Sequence, residues 1–253
     1  MEQKNRLPFT LAVIALIFLA LFTSFGRSFF SLHTPQVVLP DTSKSDYSDL
    51  DASGSSQTDH YQTVAVTTQT VQSVIATLDR LDSYSRDVTV EYLWSDGSSH
   101  SSIQVWVDQD WTYCTQVLPS GVVRHDLTSP EVLYYWYDGS RNYESIPADQ
   151  RSADLAQHLP TYETVLALDP QDITAAGYEL LEEIPCVYVE AHPADSQTKT
   201  RYWICVDNGL LICAQAEQNG SLIYRMTAFG PIQVPCPTNV SFQLPDGTVL
   251  HTA

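Results

Sequence analysis

Basic residues are scarce in this chain of 253 residues, which has 12 Lys and Arg against 30 Asp and Glu. The formal net charge is therefore -18. A surface that binds nucleic acid needs clustered Lys and Arg side chains, because these displace counterions from the phosphates. The composition therefore excludes nucleic acid as the expected partner.

Charged residues of either sign are also few, at 17% of the chain, whereas hydrophobic residues make up 43% and include 14 Tyr and 5 Trp. A disordered acidic chain has the opposite balance, with high net charge and few aromatic residues. The composition therefore predicts a folded core.

The sequence motifs of the common catalytic and metal sites are absent. The chain has no CxxC pair and no HExxH, GxSxG, GxGxxG or P-loop motif. Such motifs place a metal, a nucleophile or a phosphate against fixed partners. On a predicted strand, His125 faces away from both Arg124 and Asp126, so we interpret it as a surface residue rather than a proton relay. We expect no enzyme activity, no metal and no cofactor; a hydrolase is the less favoured alternative.

The segment from Leu7 to Phe25 contains nineteen residues without a charge, which is long enough to cross a bilayer. Lys4 and Arg6 precede it, whereas residues 28–253 carry 29 acidic and 9 basic residues. Because basic residues flank a span on its cytoplasmic side, we expect a single-pass protein of the cell membrane. Residues 1–27 are then a cytoplasmic tip and a transmembrane signal anchor, and the remainder is extracytoplasmic.

A cleaved signal peptide is the alternative, since Ser24 and Gly26 could serve as its small residues, and the protein would then be secreted. We favour the retained anchor because the apolar run is long and Phe29 and Phe30 continue it. No Cys lies before Cys114, so the N-terminus has no cysteine for a lipid anchor. Residues 28–66 are rich in Ser, Thr and Asp, which predicts a flexible stalk.

Residues 67–253 have the patterns of one α+β domain. An apolar stripe from Val71 through Leu81 predicts a helix of about four turns. Segments rich in Val and aromatic residues predict a first series of strands at 87–94, 102–107, 111–118, 121–126, 131–137 and 141–146. Two short helices divided by Pro160 follow within 152–167. A second series is predicted at 177–181, 185–191, 200–206, 210–217, 221–228 and 242–250. The order predicts one large curved antiparallel sheet covered by helices.

Several segments resemble the LolA-like proteins, the superfamily of the lipoprotein carrier LolA, the acceptor LolB and the regulator RseB. They are YYWYDGSRNY (134–143), GYELLEEIPCVYVEA (177–191), TRYWICVDNGLLICAQAEQNGSLIYRMTAF (200–229) and FQLPDGTVL (242–250). Spore-germination lipoproteins of clostridia are also similar, so the resemblance suggests a member from Gram-positive bacteria. It covers residues 68–251 and implies an unclosed half-barrel whose helix-covered concave face encloses an apolar cavity.

The resemblance implies an extracytoplasmic binding protein of the bacterial cell envelope that holds a lipid, a lipoprotein acyl chain or another apolar ligand. The alternative is a module that binds an envelope protein in envelope, sporulation or germination signalling. Carriers of the family are soluble and the acceptor is acylated, whereas this chain has a predicted transmembrane anchor. We therefore expect a tethered binder or sensor rather than a shuttle.

Six aromatic residues are candidates for the lining of the implied cavity: Trp94, Trp106, Tyr135, Tyr137, Tyr188 and Trp203. The alternative for each of them is ordinary sheet core, since aromatic residues favour strands and bury large areas.

Two predicted hairpins give two alternative pairings of the cysteines. A turn near residue 195 sets Cys186 opposite Cys205, which makes these two the disulfide candidates. The next hairpin, centred on Gly209, would set Cys205 opposite Cys213 instead. Five cysteines leave at least one thiol free, and buried free thiols are the alternative for all of them.

Overall fold

The computed structural model describes residues 65–148 and 157–253. The predicted transmembrane helix and almost all of the predicted stalk lie outside these described residues. Within them, we find no helix with the length and apolar character that crossing a membrane requires.

Two antiparallel meanders form a single sheet of eleven strands. The first meander comprises β1 (Ser83–Trp94), β2 (Gly97–Asp108), β3 (Trp111–Val117), β4 (Val123–Thr128), β5 (Val132–Tyr137) and β6 (Glu144–Pro147). The second comprises β7 (Ile173–Leu181), β8 (Ile184–Ala191), β9 (Thr198–Cys205), β10 (Leu211–Gln218) and β11 (Ser221–Thr227). The two meanders join where β1 pairs with β11, so β6 and β7 are the edges and the sheet does not close. The prediction of a large unclosed antiparallel sheet is confirmed.

Two short helices, α1 (Val71–Thr77) and α2 (Tyr162–Leu166), pack on one face of the sheet. The Gln72 amide nitrogen joins them, because it lies within 3.1 Å of the carbonyl oxygens of Val165 and Leu166. The second helix follows Pro160 as predicted, whereas residues 149–156 of the first predicted helix lie outside the described residues.

The predicted length of α1 is wrong, since the helix has seven residues rather than about four turns. Its C-terminal end is set by Arg80, whose guanidinium donates hydrogen bonds to the carbonyl oxygens of Ile75 and Leu78. These bonds satisfy carbonyls that a longer helix would otherwise pair. Leu78 is already extended, and the following residues press against the β9–β10 turn, where a Cβ added to Gly209 would lie 2.6 Å from the Asp79 carbonyl oxygen.

Alternation along the strands assigns each side chain to one of two faces. The helix-covered face is the one that carries Val88 and Val90 of β1 and Val187 and Val189 of β8, all buried beneath α1 and α2. The opposite face carries the residues between them. The register of the pairs Arg86↔Val105, Val105↔Cys114 and Cys114↔Asp126 extends this assignment to β4.

The predicted strand 242–250 is wrong, because this segment is a separate hairpin of β12 (Ser241–Gln243) and β13 (Val249–Thr252). Pro245 cannot donate to a strand ladder, and Gly247 has a φ of 96°, which reverses the chain there. The hairpin lies on the opposite face over β2 to β5, where fully buried Phe242 packs in a cluster with Leu127 and Trp136. We call this cluster the hairpin-covered region.

Candidate functional site

The six aromatic candidates do not share one surface. Alternation from Val88 and Val90 places Trp94 on the helix-covered face. The pairs Arg124↔Tyr137 and Asp126↔Tyr135 place both of these tyrosines on the same face. The other three candidates, Trp106, Tyr188 and Trp203, lie on the opposite face. A single cavity therefore cannot be lined by all six, and at most the three candidates of one face can share a site.

The three candidates on the opposite face are packing residues. Trp106 stacks on Tyr113 with 5.2 Å between ring centroids, beside the hairpin-covered region. Trp203 is 7% exposed, packs on Tyr188 at 5.2 Å and donates its indole hydrogen to Glu179 Oε2 at 2.9 Å. For these three residues the interpretation as ordinary sheet core is the one that the contacts support.

The candidates on the helix-covered face are more open. Trp94 is 55% exposed and Tyr137 is 43% exposed, while Tyr135 is half-buried with the Arg124 guanidinium 5.1 Å above its ring. Tyr92 adds a fourth aromatic side chain, 50% exposed, in edge-to-face contact with Tyr224. The sheet therefore presents large aromatic side chains on this face beyond the area that α1 and α2 cover.

Arg86 is a residue of this face that the sequence prediction missed, because the predicted strand began at Asp87. It is 4% exposed, and its guanidinium donates to the Leu211 carbonyl oxygen at 2.9 Å and to Gln157 Oε1 at 2.6 Å. The Gln157 amide in turn donates to the Tyr84 hydroxyl at 2.7 Å. The signal was available, since alternation puts an arginine between the apolar residues Tyr84 and Val88.

A buried cation changes the chemistry expected beneath the helices. Arg86 Nε has no hydrogen-bond partner within the described part of the chain, and burial of such a group in apolar surroundings is costly. The neighbouring Cys114 is buried too, and the pKa of its thiol is raised by burial and by Asp126, against the lowering effect of Arg86. The described side chains beneath α1 and α2 form a packed core, and the buried Arg86 lies in it.

Two depressions lie elsewhere on the described surface. One, of about 320 Å³, lies between β2 and the β3–β4 turn and is lined by Ser98, Ser99, His100, Ser102, Val117, Leu118, Pro119 and Gly121. The other, of about 170 Å³, lies at the β7–β8 hairpin and is lined by Tyr178, Glu179, Leu180, Pro185 and Cys186. The serine-rich lining makes the first a mixed polar site, whereas the second is more apolar.

His125 lies on the opposite face, away from Arg124 and Asp126 as predicted, but it is not a surface residue. Its side chain is 13% exposed and stacks on Trp136 with 5.1 Å between centroids. Its Nδ1 is 2.8 Å from the Tyr113 hydroxyl, and its Nε2 is 3.2 Å from Asp138 Oδ1. The pKa of Tyr113 is raised to about 12 by burial and by the charge of Asp138.

The cysteine register is partly as predicted. Cys186 lies opposite Cys205, whereas a bulge in β10 places Cys213 opposite Trp203 rather than Cys205. All five cysteines are buried and free, so the structure does not contain the predicted disulfide. Over residues 65–148 and 157–253, no group of three or more His, Cys, Asp or Glu side chains is placed to hold a metal ion.

No family model matches the chain, and no curated protein matches it. Several solved structures are similar at low identity. MucB in complex with MucA(peri) is 19% identical over 74% of this chain and 63% of that one, with a TM-score of 0.39. LprF from Mycobacterium bovis is 14% identical over 71% and 95%, with a TM-score of 0.40. A LolA superfamily protein from Nitrosomonas europaea is 12% identical over 67% and 94%, with a TM-score of 0.33.

The last of these is described as a LolA superfamily protein, the superfamily that the sequence segments resemble. The chain spans less than two thirds of MucB. A relation to spore-germination proteins stays a prediction.

Proposed function

We propose that this protein is a tethered extracytoplasmic binding protein that takes an apolar ligand, such as a lipid or a lipoprotein acyl chain, and performs no chemistry on it. The observation that carries the proposal is the exposure of Tyr92, Trp94 and Tyr137 on the helix-covered face. Tyr92 and Trp94 lie on the same strand, and aromatic side chains that stay exposed on one face of a sheet can bury large areas against an apolar ligand. The ligand lies on the uncovered part of this face, since packed side chains fill the space beneath α1 and α2.

Photocrosslinking in the native membrane tests this proposal with the full chain. A diazirine fatty acid is added, irradiated and mapped by peptide mass spectrometry. We expect labels on the peptides that contain Trp94 and Tyr137, and labels on residues 7–25 as an internal reference. Trp94→Ala and Tyr137→Ala each reduce the labelling of the folded domain at least threefold.

Tyr143→Ala is the matched control, because Tyr143 is similarly exposed at 38% but packs on Tyr134 of the opposite face. Labelling confined to residues 7–25 in the parent chain would reject the apolar ligand. Equal losses from Tyr137→Ala and Tyr143→Ala would reject the assigned face.

The tether is proposed from the sequence. The uncharged run from Leu7 to Phe25 with Lys4 and Arg6 before it supports a membrane span whose N-terminus is cytoplasmic. Alkaline phosphatase, a reporter that is active outside the cytoplasm, is fused after Ala253. The fusion is expected to be active and to stay in the membrane during extraction with alkaline carbonate. Release of the fusion by carbonate would indicate cleavage and a secreted protein.

A module that binds an envelope protein is the second candidate. The observation that favours it is the sheet edge at β7, which carries exposed apolar side chains and, among the described residues, pairs with a single neighbouring strand. Crosslinking of the full chain in cells, followed by mapping of the crosslinked residues, separates the two candidates, since a protein partner attaches near β7 and a lipid attaches near Trp94.

A further inference from the structure

Strand β7 is a long open edge of the sheet. It has nine residues, it is the last strand in the order of the sheet, and β8 is its only strand partner within the described residues. A bulge near Ile173 disturbs its start, but the register from Ala175 to Leu181 is continuous. Unpaired backbone groups along such an edge are a template for an added strand.

The register shows which backbone groups of β7 are free. The Val206 amide donates to the Pro185 carbonyl oxygen at 2.9 Å, so the backbone carbonyl of Pro185 points toward β9. Because these directions alternate along a strand, the backbone groups of Cys186 point toward β7, where its partner is Glu179. The same alternation directs the backbone groups of Ala176, Tyr178 and Leu180 to the open edge.

The side chains along this edge are apolar and exposed on the helix-covered face. Tyr178 is 58% exposed and Leu180 is 72% exposed, the largest value among the exposed large hydrophobic residues. Both line the depression of about 170 Å³ at the β7–β8 hairpin. An added strand that pairs with Tyr178 and Leu180 would cover these side chains with its own apolar residues.

The charge at this edge has one sign. Glu179, Glu182 and Glu183 are exposed, and no Lys or Arg occurs between Ile173 and Ala191. Glu179 lies on the opposite face, where it accepts the hydrogen bond of Trp203. An added strand therefore meets apolar side chains on one face, the Glu179 carboxylate on the other, and Glu182 and Glu183 at the turn, which favours an alternation of apolar and basic residues.

The β7–β8 turn keeps its acidic residues at a conformational cost. Glu182 and Glu183 have φ values of 48° and 67°, a region that favours Asn and Gly in two-residue hairpin turns. The β10–β11 turn of the same chain uses the favoured pair, Asn219 and Gly220, with φ values of 52° and 78°. Strained residues cluster at functional sites, so this turn is a candidate for a role other than stability.

We propose that β7 binds an extended segment of a partner protein by strand addition, and that this segment alternates basic with apolar residues. The site deepens the interaction candidate above by naming the partner class and the surface. It rests on that candidate and not on the apolar-ligand site, because it uses the backbone of the sheet edge.

The probe is a fluorescent nine-residue peptide of alternating Lys and Val, titrated into the full chain in nanodiscs of zwitterionic lipid. We expect binding by anisotropy at least tenfold tighter than for the alternating Glu and Val peptide. Hydrogen exchange of the Ala176, Tyr178 and Leu180 amides should slow in the complex. A Lys and Val peptide with alternate N-methyl amides keeps its charge but loses its hydrogen bonds, and it should not bind.

The double variant Glu182→Asn with Glu183→Gly removes two charges and relieves the turn. It should melt at a higher temperature than the parent chain and bind the peptide at least fivefold more weakly. Asp96→Asn with Asp195→Asn removes two exposed charges from other turns and should leave binding unchanged. Equal losses of peptide affinity in the two double variants would show that the effect comes from net charge alone. That result would overturn the assigned site.

Unchanged exchange at the three β7 amides in the presence of bound peptide would also overturn the proposal. Amides already protected in the peptide-free chain, together with no peptide binding, would show that another part of this chain or a second copy occupies the edge. Light scattering distinguishes these two occupants. Photocrosslinking of the fatty acid on the same sample reports the apolar-ligand site separately, so failure of one proposal leaves the other testable.

Discussion

The opposite face of the sheet is buried in two different ways. Over β2 to β5, the hairpin-covered region places Phe242 and Leu244 on the aromatic side chains of the sheet. Over β8 to β10, the apolar cluster that contains Cys186, Trp203 and Cys213 consists of sheet residues alone. Beside it, Arg201 binds Glu190 and Glu217 across three neighbouring strands.

The two halves of this face, over β2 to β5 and over β8 to β10, are therefore stabilised by different interactions. In the first half a distant segment of the chain returns to cover aromatic side chains, so stability depends on long-range apolar burial. In the second half charged side chains extend over the edge of a small apolar cluster, so stability depends on ion pairs with partial exposure. The halves should therefore respond differently to cavities, to charge removal and to pH.

Removal of the aromatic ring at the centre of the hairpin-covered region should have the largest effect. Phe242 is fully buried and contacts the rings of Trp111, Tyr113 and His251. Phe242→Ala is expected to lower the free energy of unfolding by about 3–5 kcal/mol, because it creates a large cavity. Urea denaturation measures the loss. Phe229→Ala, at a residue that is 39% exposed, is the control and should cost well under half as much.

The half that contains the ion pairs should lose less unfolding free energy when its central cation, Arg201, is removed. Arg201 donates to Glu190 Oε2 at 3.1 Å and to Glu217 Oε1 at 2.6 Å, and its side chain is 26% exposed. Arg201→Met should cost about 1–2 kcal/mol of unfolding free energy, since charged hydrogen bonds are lost in partial solvent. Arg225→Met is the matched control, because Arg225 is 3.6 Å from Glu91 and 42% exposed. Equal costs for the two variants would contradict a special role for Arg201.

The same half should contribute to the acid sensitivity of the fold. Burial raises the pKa of Glu190, but hydrogen bonds from Arg201, Lys199, Thr174 and Tyr188 outweigh it and the net pKa is lowered. A carboxylate with a lowered pKa stabilises the fold above its unfolded pKa, and this contribution is lost as the pH falls through the folded pKa. Glu190→Gln should therefore flatten the acid side of the stability curve, measured by urea midpoints at several pH values. Glu182→Gln, at the exposed turn, should leave the curve unchanged.

The smallest expected effect is a difference between the halves in the urea concentration at which buried thiols become reactive. Burial raises the pKa of Cys186 and Cys213 to about 12 and that of Cys236 to about 11, so the native thiols should react slowly with iodoacetamide at neutral pH. Because Cys236 lies in the hairpin-covered region, it should become reactive in Phe242→Ala at a lower urea concentration than Cys213 does. Mass spectrometry counts the labels, and fewer than five in the unfolded, unreduced chain would show a disulfide.

The strand pattern was the most predictable part of the molecule. Alternating apolar residues and the Asp-Gly and Asn-Gly turns marked all eleven strands of the sheet, and the register of Cys186 with Cys205 followed from turn position alone. The hairpin at the C-terminus was missed because one apolar pattern continues across Pro245 and Gly247. The helix α1 was predicted too long, since Leu78 and Leu81 fit a helical stripe but pack on the core from an extended segment.

The candidate site was less predictable, because aromatic residues in strands look the same on both faces. Trp94 and Trp203 are each surrounded by alternating residues, yet one is open and the other is buried against Glu179 and Tyr188. Arg86 lay just outside a predicted strand. The sheet edge at β7 is a property of strand order, which no local pattern encodes.

The sequence by itself determined the class of the domain, the existence of the strands and the acidic character of the chain. These depend on composition and on periodicities of two residues, which are local. The tertiary structure alone decided which face each aromatic residue joins, that Arg86 fills the space beneath the helices, and that β7 remains an edge. Those outcomes depend on which distant segments pack on the sheet. The free energy that decides the packing comes from contacts between segments and not from any one segment.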